Sequence, residues 1–248
     1  MENYDDAVVG QSKVMKHILP ALYSQHRNAR KRPVVLLFLG DSGIGKTETA
    51  KYISDVLGER LVRIQCSMQQ TNIAYQYIFG GEHNQNSMAR DLIRRTSNVI
   101  LLDEFDKVHP QFYNAFYQMF DEGKYVDSSY EVDVSKCVFI CTSNFQSRTE
   151  AEKQLGKPIL SRFSEVVIFE PLSAESKMRI VDNALETYIS KLSKADRKIM
   201  EEKNGTKSIR AEFENVIKRG GGYGNIRMLK NDIENAINYK MLEWKGLL

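Results

Sequence analysis

The octapeptide Gly40-Asp41-Ser42-Gly43-Ile44-Gly45-Lys46-Thr47 constrains this chain more than any other feature. It matches G-x-x-x-x-G-K-[ST] and lies between the apolar run Val34 to Leu39 and the helix-like segment Glu48 to Leu57. That order dictates a strand, a curled loop and a helix. Glycines let the backbone turn so that its N–H groups face phosphate oxygens, and the helix that follows adds the positive end of its dipole. Lys46 is expected to reach the β and γ phosphates of a nucleotide. The Thr47 hydroxyl is expected to ligate Mg2+, an ion that keeps several waters and takes few protein ligands.

Apolar runs like the one before the loop recur at Leu61 to Ile64, Val99 to Leu102, Val138 to Cys141 and Val166 to Phe169, with helical-period segments between most of them. Runs without polar alternation suit strands covered on both faces, which predicts an α/β fold: a parallel sheet sandwiched by helices. After Pro171 the runs stop, and the pattern is helical over Glu175 to Lys191, Ser208 to Lys218 and Ile226 to Trp244, with a glycine-rich break at Gly220 to Gly224. Two domains are therefore expected, a nucleotide-binding α/β core over 1–171 and a small all-helical domain over 172–248. The 248 residues, 42% of them hydrophobic, suffice for such a core.

Net charge is +3, from 35 Lys plus Arg against 32 Asp plus Glu, too small to argue by itself for nucleic acid or membrane. The one dense basic cluster, Arg27 to Arg32, reads as a solvated loop before a buried strand, with a nucleic-acid contact as the alternative. The acidic start Met1 to Asp6 lacks the pattern of a secretion signal, and no apolar stretch approaches the roughly 20 residues that cross a bilayer, so a cytoplasmic location is expected. Three cysteines are too few for a disulfide scaffold. Cys137 and Cys141, set in an apparent strand, lie roughly 13 Å apart, too far to share a zinc ion. His83 has no partner at ligand spacing. Phe112, Phe116 and Phe120, with Tyr113 and Tyr117, recur at helical spacing and are read as packing residues.

A second signature is Val99-Ile100-Leu101-Leu102-Asp103-Glu104, an apolar strand ending in two carboxylates at the edge where doubly wound sheets bind ligands. Asp103 is expected to orient Mg2+ or its waters, and Glu104 to polarise the water that attacks the γ phosphate. Together with the phosphate loop, the pair points to nucleoside triphosphate hydrolysis.

Leu101-Leu102-Asp103-Glu104-Phe105-Asp106-Lys107-Val108-His109-Pro110, then Asp121-Glu122-Gly123 and Thr142-Ser143-Asn144, continue in the order that marks the AAA+ ATPases. Among these the chain resembles the Clp-type protein unfoldases and disaggregases, from Val8-Val9-Gly10-Gln11 through nearly its whole length. The resemblance implies an ATPase whose cofactors are ATP and Mg2+. It also implies a homo-oligomeric ring, a hexamer, acting on a protein substrate or adaptor. It identifies Asn144 with the residue that helps orient the attacking water, and Arg162 with the arginine finger that reaches the γ phosphate of a neighbouring subunit. Arg227 resembles the lid arginine that acts on nucleotide in its own subunit, one residue beyond its usual register. Val9 and Ile180 resemble the apolar residues that border adenine.

One departure bears on function. Clp unfoldases carry a G-[aromatic]-V-G pore loop before the acidic pair, whereas this chain has Tyr75-Gln76-Tyr77-Ile78-Phe79-Gly80-Gly81-Glu82-His83-Asn84 in a shorter segment. Phe79 is the candidate to grip a polypeptide; packing of Tyr75, Tyr77 and Phe79 beneath the sheet is the competing expectation. The match is to one Clp-type module, expected to be either a stand-alone protein or a part of a longer one, with no recruiting domain or second ATPase module within the sequence read. Two other readings keep the same ATP site. One is a DNA-associated AAA+ ATPase of the helicase-loader or transposition-regulator type. The other is a nucleotide-gated interaction switch like the torsins.

Overall fold

The computed structural model describes residues 3–26, 32–68, 72–81, 86–220 and 223–248. Most of the basic cluster, residues 69–71, residues 82–85 with His83 among them, and two glycines of the late break lie outside the described residues. Two compact units are present, Met1–Asp41 with Gly45–Glu170, and Ser42–Ile44 with Pro171–Leu248.

In the first unit the chain runs α1 (Tyr4–Ala7), α2 (Val14–His26), β1 (Val34–Leu39), α3 (Lys46–Val56), β2 (Val62–Gln65), α4 (Asn72–Phe79), α5 (Met88–Ile93), β3 (Val99–Asp103), α6 (Tyr113–Glu122), β4 (Lys124–Val126), β5 (Glu131–Asp133), β6 (Val138–Thr142), α7 (Arg148–Leu155), α8 (Lys157–Leu160) and β7 (Glu165–Ile168). Five strands form one parallel sheet in the order β2-β3-β6-β1-β7. From β1 the chain crosses two strand positions to reach β2, steps back through β3 to β6, and then passes over β1 to β7. The ends of β3, β6 and β1 therefore lie side by side at the carboxyl edge, where open parallel sheets bind ligands.

Every residue of β1, β3 and β6 is buried, as sheets with helices on both faces require. The aromatic stripe of α6 faces the core. Phe116 and Phe120 are fully buried and converge with Phe163 on Phe105, whose ring lies 5.2 Å from Phe116 and 6.0 Å from Phe163. Phe105 follows Glu104 directly, so this cluster pins the turn that carries the acidic pair. The antiparallel hairpin β4–β5, absent from the sequence expectation, starts at Gly123. There φ is +70° and an added Cβ would sit 2.7 Å from the Ser135 backbone, so glycine is needed. Cys66, Cys137 and Cys141 are all buried free thiols, and burial pushes that of Cys137 up to about 11.

The second unit consists of α9 (Ala174–Lys191), α10 (Lys194–Glu202), α11 (Gly205–Lys218) and α12 (Ile226–Trp244), with the loop residues Ser42–Ile44. Ser173, Ser193 and Asn225 cap α9, α10 and α12 with their side chains. Ile180, Leu185, Phe213, Leu229 and Ile233 fill the core at helical spacing. The only tryptophan, Trp244, lies against Gly205, where any added Cβ would collide with its ring and with Met200. Among the described residues no helix is long and apolar enough to cross a membrane.

Candidate functional site

The phosphate loop leaves β1 at Gly40 and enters α3 at Lys46 through Gly45, whose φ of +111° excludes ordinary side chains. An added Cβ there would also meet Val8 Cγ1 at 2.8 Å, so Val8, one residue before the expected Val9, covers this corner of the loop. Lys46 is only 7% exposed. Its Nζ donates to the Gly40 carbonyl, to the Asp41 carbonyl at 2.7 Å and to Asn144 Oδ1 at 3.4 Å. Burial pulls its pKa down to about 8, against the opposing charges of Asp106, Asp41 and Asp103. At the first turn of α3, Thr49 Oγ1 donates to the Gly45 carbonyl at 2.9 Å and shares a 2.8 Å hydrogen bond with Tyr4.

Asp103 ends β3 with its carboxylate largely buried, and Glu104 follows in left-handed backbone at φ 56° and ψ 48°. A non-glycine residue held there costs on the order of 1 kcal/mol, strain of the kind found at functional sites. Thr142, at the end of the neighbouring β6, ties the pair together. Its hydroxyl donates to Asp103 Oδ1 and accepts from the Glu104 N–H at 3.0 Å. From the other side, β2 presents two residues of one face. Arg63 Nη2 pairs with Asp103 Oδ2, and Gln65 Nε2 donates to Glu104 Oε2 at 2.7 Å. Asp106 adds a third carboxylate, its side chain 5% exposed and its Oδ1 without a hydrogen-bond partner.

The sheet thus brings together the phosphate loop, the acidic pair and Asn144. Arg162 lies in the turn after α8, bonded to Asp121 Oδ2 at 2.7 Å and stacked over Tyr117. Val9 is buried near the start of the first unit. Ile180 is buried on α9 and Arg227 is exposed in the first turn of α12, both in the helical unit. In that unit the Ile226 N–H donates to the Gly43 carbonyl at 3.1 Å. The Asn225 side chain fills the space that a Cβ on Gly43 would need.

A family model described as AAA domain (Cdc48 subfamily) matches residues 31–218. The chain belongs to the AAA+ ATPases, in their Clp-type branch. This AAA+ chain is 32% identical over 212 residues to the chaperone protein ClpB of Staphylococcus aureus (strain COL), covering 72% of itself and 24% of that protein. It is 30% identical over 189 residues to ClpB of Tropheryma whipplei (strain TW08/27), covering 66% and 27%. The chain spans about a quarter of the length of these curated relatives. Among solved structures, a closed-state cryo-EM reconstruction of Hsp104:ATPyS and FITC casein superposes with a TM-score of 0.73 at 23% identity, over 98% of this chain and 47% of that one. The S. cerevisiae Hsp104-ADP complex gives 0.65 at 25% identity, over 75% and 38%.

Arg63 and Gln65 are the parts of this AAA+ site that motif reading misses, and Thr142, present in the Thr142-Ser143-Asn144 motif, takes its role only from its contacts with Asp103 and Glu104. Their partners lie on adjacent strands, and a register such as Gln65 opposite Asp103 is not written in a linear motif. The available signal was two polar residues two apart, Arg63 and Gln65, closing an otherwise apolar run. Thr47 and Asp103 offer two oxygen donors, the hard chemistry that Mg2+ takes while keeping most of its waters. Among the described residues no group of three or more His, Cys, Asp or Glu could hold a metal without help from a substrate.

Proposed function

We propose that this chain is an ATP-hydrolysing module that works in a homo-oligomeric ring, a hexamer, and uses turnover to remodel a protein substrate. The observation that carries this reading is the convergence of Lys46, Asn144, Asp103 and Glu104 at the ends of three adjacent strands, with Thr142 fixing both carboxylates. In this reading the N–H groups of residues 40–47 hold the phosphates, and Lys46 neutralises the β and γ oxygens. Thr47 and Asp103 hold Mg2+, which when bound offsets phosphate charge. Glu104 takes up the proton of the attacking water and Asn144 orients that water. Arg162 serves the site of the neighbouring subunit, Arg227 serves its own, and Val9 and Ile180 border adenine. Residues 1–171 form the core and 172–248 the lid. The chaperone relatives support protein as the substrate class.

Glu104→Gln keeps shape and removes the base, so it retains nucleotide affinity while turnover falls by about 100-fold or more. Lys46→Ala loses binding itself. Equilibrium binding of a fluorescent ATP analogue alongside phosphate release checks both, and parental turnover in Glu104→Gln would overturn the assignment.

A second reading, the nucleotide-gated switch, is favoured by the anchoring of α4 where a pore loop would lie. Tyr77 donates to Asp91 at 2.7 Å, Tyr125 donates to the Ile78 carbonyl, and Phe79 packs on Phe112 at 5.9 Å. Tyr75 alone of the three aromatics is exposed, at 57%. A single-turnover unfolding assay on a stable fluorescent protein separates the readings. Robust unfolding by the parent that vanishes in Tyr75→Ala or Phe79→Ala supports threading, and ATP turnover without unfolding supports the switch.

A further inference from the structure

We infer that Asp121 and Tyr117 are positioning residues that hold the Arg162 guanidinium in one preset orientation, with its Nη2 edge directed away from its own subunit. The inference rests on the proposed role of Arg162 at a neighbouring subunit's nucleotide. An arginine that must meet a phosphate on another chain gains nothing from its flexible stem unless the chain that bears it fixes the planar head beforehand.

The fixing is visible at two levels. The backbone of the arginine is anchored by its neighbour Phe163, whose ring packs 6.0 Å from Phe105 and 5.8 Å from Phe120. The side chain is anchored by α6. Tyr117 and Asp121 are one helical turn apart and so share a face of that helix. Tyr117 presents its ring 4.3 Å from the guanidinium carbon, and Asp121 Oδ2 accepts from Nε at 2.7 Å. A third contact, from Nη1 to the Pro158 carbonyl, closes the cradle. The face of the guanidinium, its Nε side and part of Nη1 are therefore committed. Among the described residues no acceptor lies on Nη2, so both of its hydrogens remain for a ligand, and the side chain is 25% exposed.

This arrangement differs from an ordinary surface ion pair, which restrains a side chain little and contributes at most about 1 kcal/mol. A lone carboxylate would let the arginine swing about a single hinge. The added ring and carbonyl remove that freedom and leave Nη2, with its two N–H donors, for phosphate oxygens. The same helix also carries Phe120, which contacts the Phe105 ring at 6.3 Å beside Glu104. One helix thus supports the hydrolytic turn of its own site and the finger offered to the next.

The test is complementation between subunits. Asp121→Asn keeps size and removes the charge-assisted bond to Nε. It is expected to lower kcat between about 10-fold and 100-fold with little change in the KM for ATP or in its own nucleotide affinity. Asp121→Glu, which can still reach Nε, should recover much of that loss. Mixing Asp121→Asn with the otherwise inactive Glu104→Gln should restore turnover, because a Glu104→Gln subunit supplies a correctly held finger to an Asp121→Asn site. A defect in the variant's own fold or own site would not be rescued by a neighbour. Parental or raised kcat in Asp121→Asn, or a loss that mixing leaves unrepaired, would overturn the inference. An Arg162→Ala and Glu104→Gln mixture run in parallel separates the two possible failures. If it too shows no rescue, the role of Arg162 in trans is at fault, and if it alone is rescued, only the positioning by Asp121 is.

Discussion

Lys46 carries a charge that its surroundings resist. Enclosed by the loop and by Asn144, its ammonium loses water that the carbonyls of Gly40 and Asp41 replace only in part, and its pKa falls to about 8. Phosphates reverse that balance, so binding requires the protonated form and raises its pKa again. Nucleotide affinity should therefore be flat below about pH 8 and weaken by about tenfold per pH unit above it, measured by titration calorimetry across pH 6.5 to 9.5, a range in ~1 unit steps. Affinity that stays constant through pH 9.5 would count against the buried ammonium. The stability of the empty protein moves the other way. Its unfolded state binds more protons than the folded state between the lowered pKa and the ordinary lysine value, so this group adds stability as pH rises through that window. The residues of the loop and the acidic pair were legible because their chemistry needs fixed residue types at fixed spacings. Arg63, Gln65 and the role of Thr142 were not, since any strand of suitable polarity could have stood beside Asp103.

At the scale of elements, β1, β3 and β6 were legible as continuous apolar runs, and α12 coincides with the expected Ile226 to Trp244 because its apolar positions recur over five turns' length. Shorter pieces escaped. In the segment Tyr75 to Phe79 the aromatics stand at every second position, a strand-like period, and its helical form depends on partners that follow it in sequence, Asp91 on α5 and Tyr125 on β4. The hairpin escaped for a similar reason, being two three-residue strands that hold together by pairing and by the buried Tyr125 ring. Tyr125→Phe removes the hydroxyl that satisfies the Ile78 carbonyl, at a cost of about 1 to 3 kcal/mol concentrated in this region. Backbone amides of α4 should then exchange with deuterium at least about fivefold faster than in the parent, while those of β1 and β6 keep their protection. Unchanged exchange over 74–79 would show that α4 does not depend on the hairpin.

For the whole molecule, the proposed service of Arg162 to a neighbouring subunit's site means that a lone chain would be incomplete. Specific ATPase activity should rise with protein concentration and level off where light scattering shows assembly complete. Constant specific activity in a sample shown to be monomeric would remove Arg162 from the reaction. The chain is also optically lopsided. Its single indole belongs to the helical unit, wedged against Gly205, and the α/β unit emits only through tyrosine. Excited at the red edge of its absorption, the protein glows from one half alone, so without any added label its emission reports solvent entry around α11 and α12 and stays blind to the nucleotide-binding sheet.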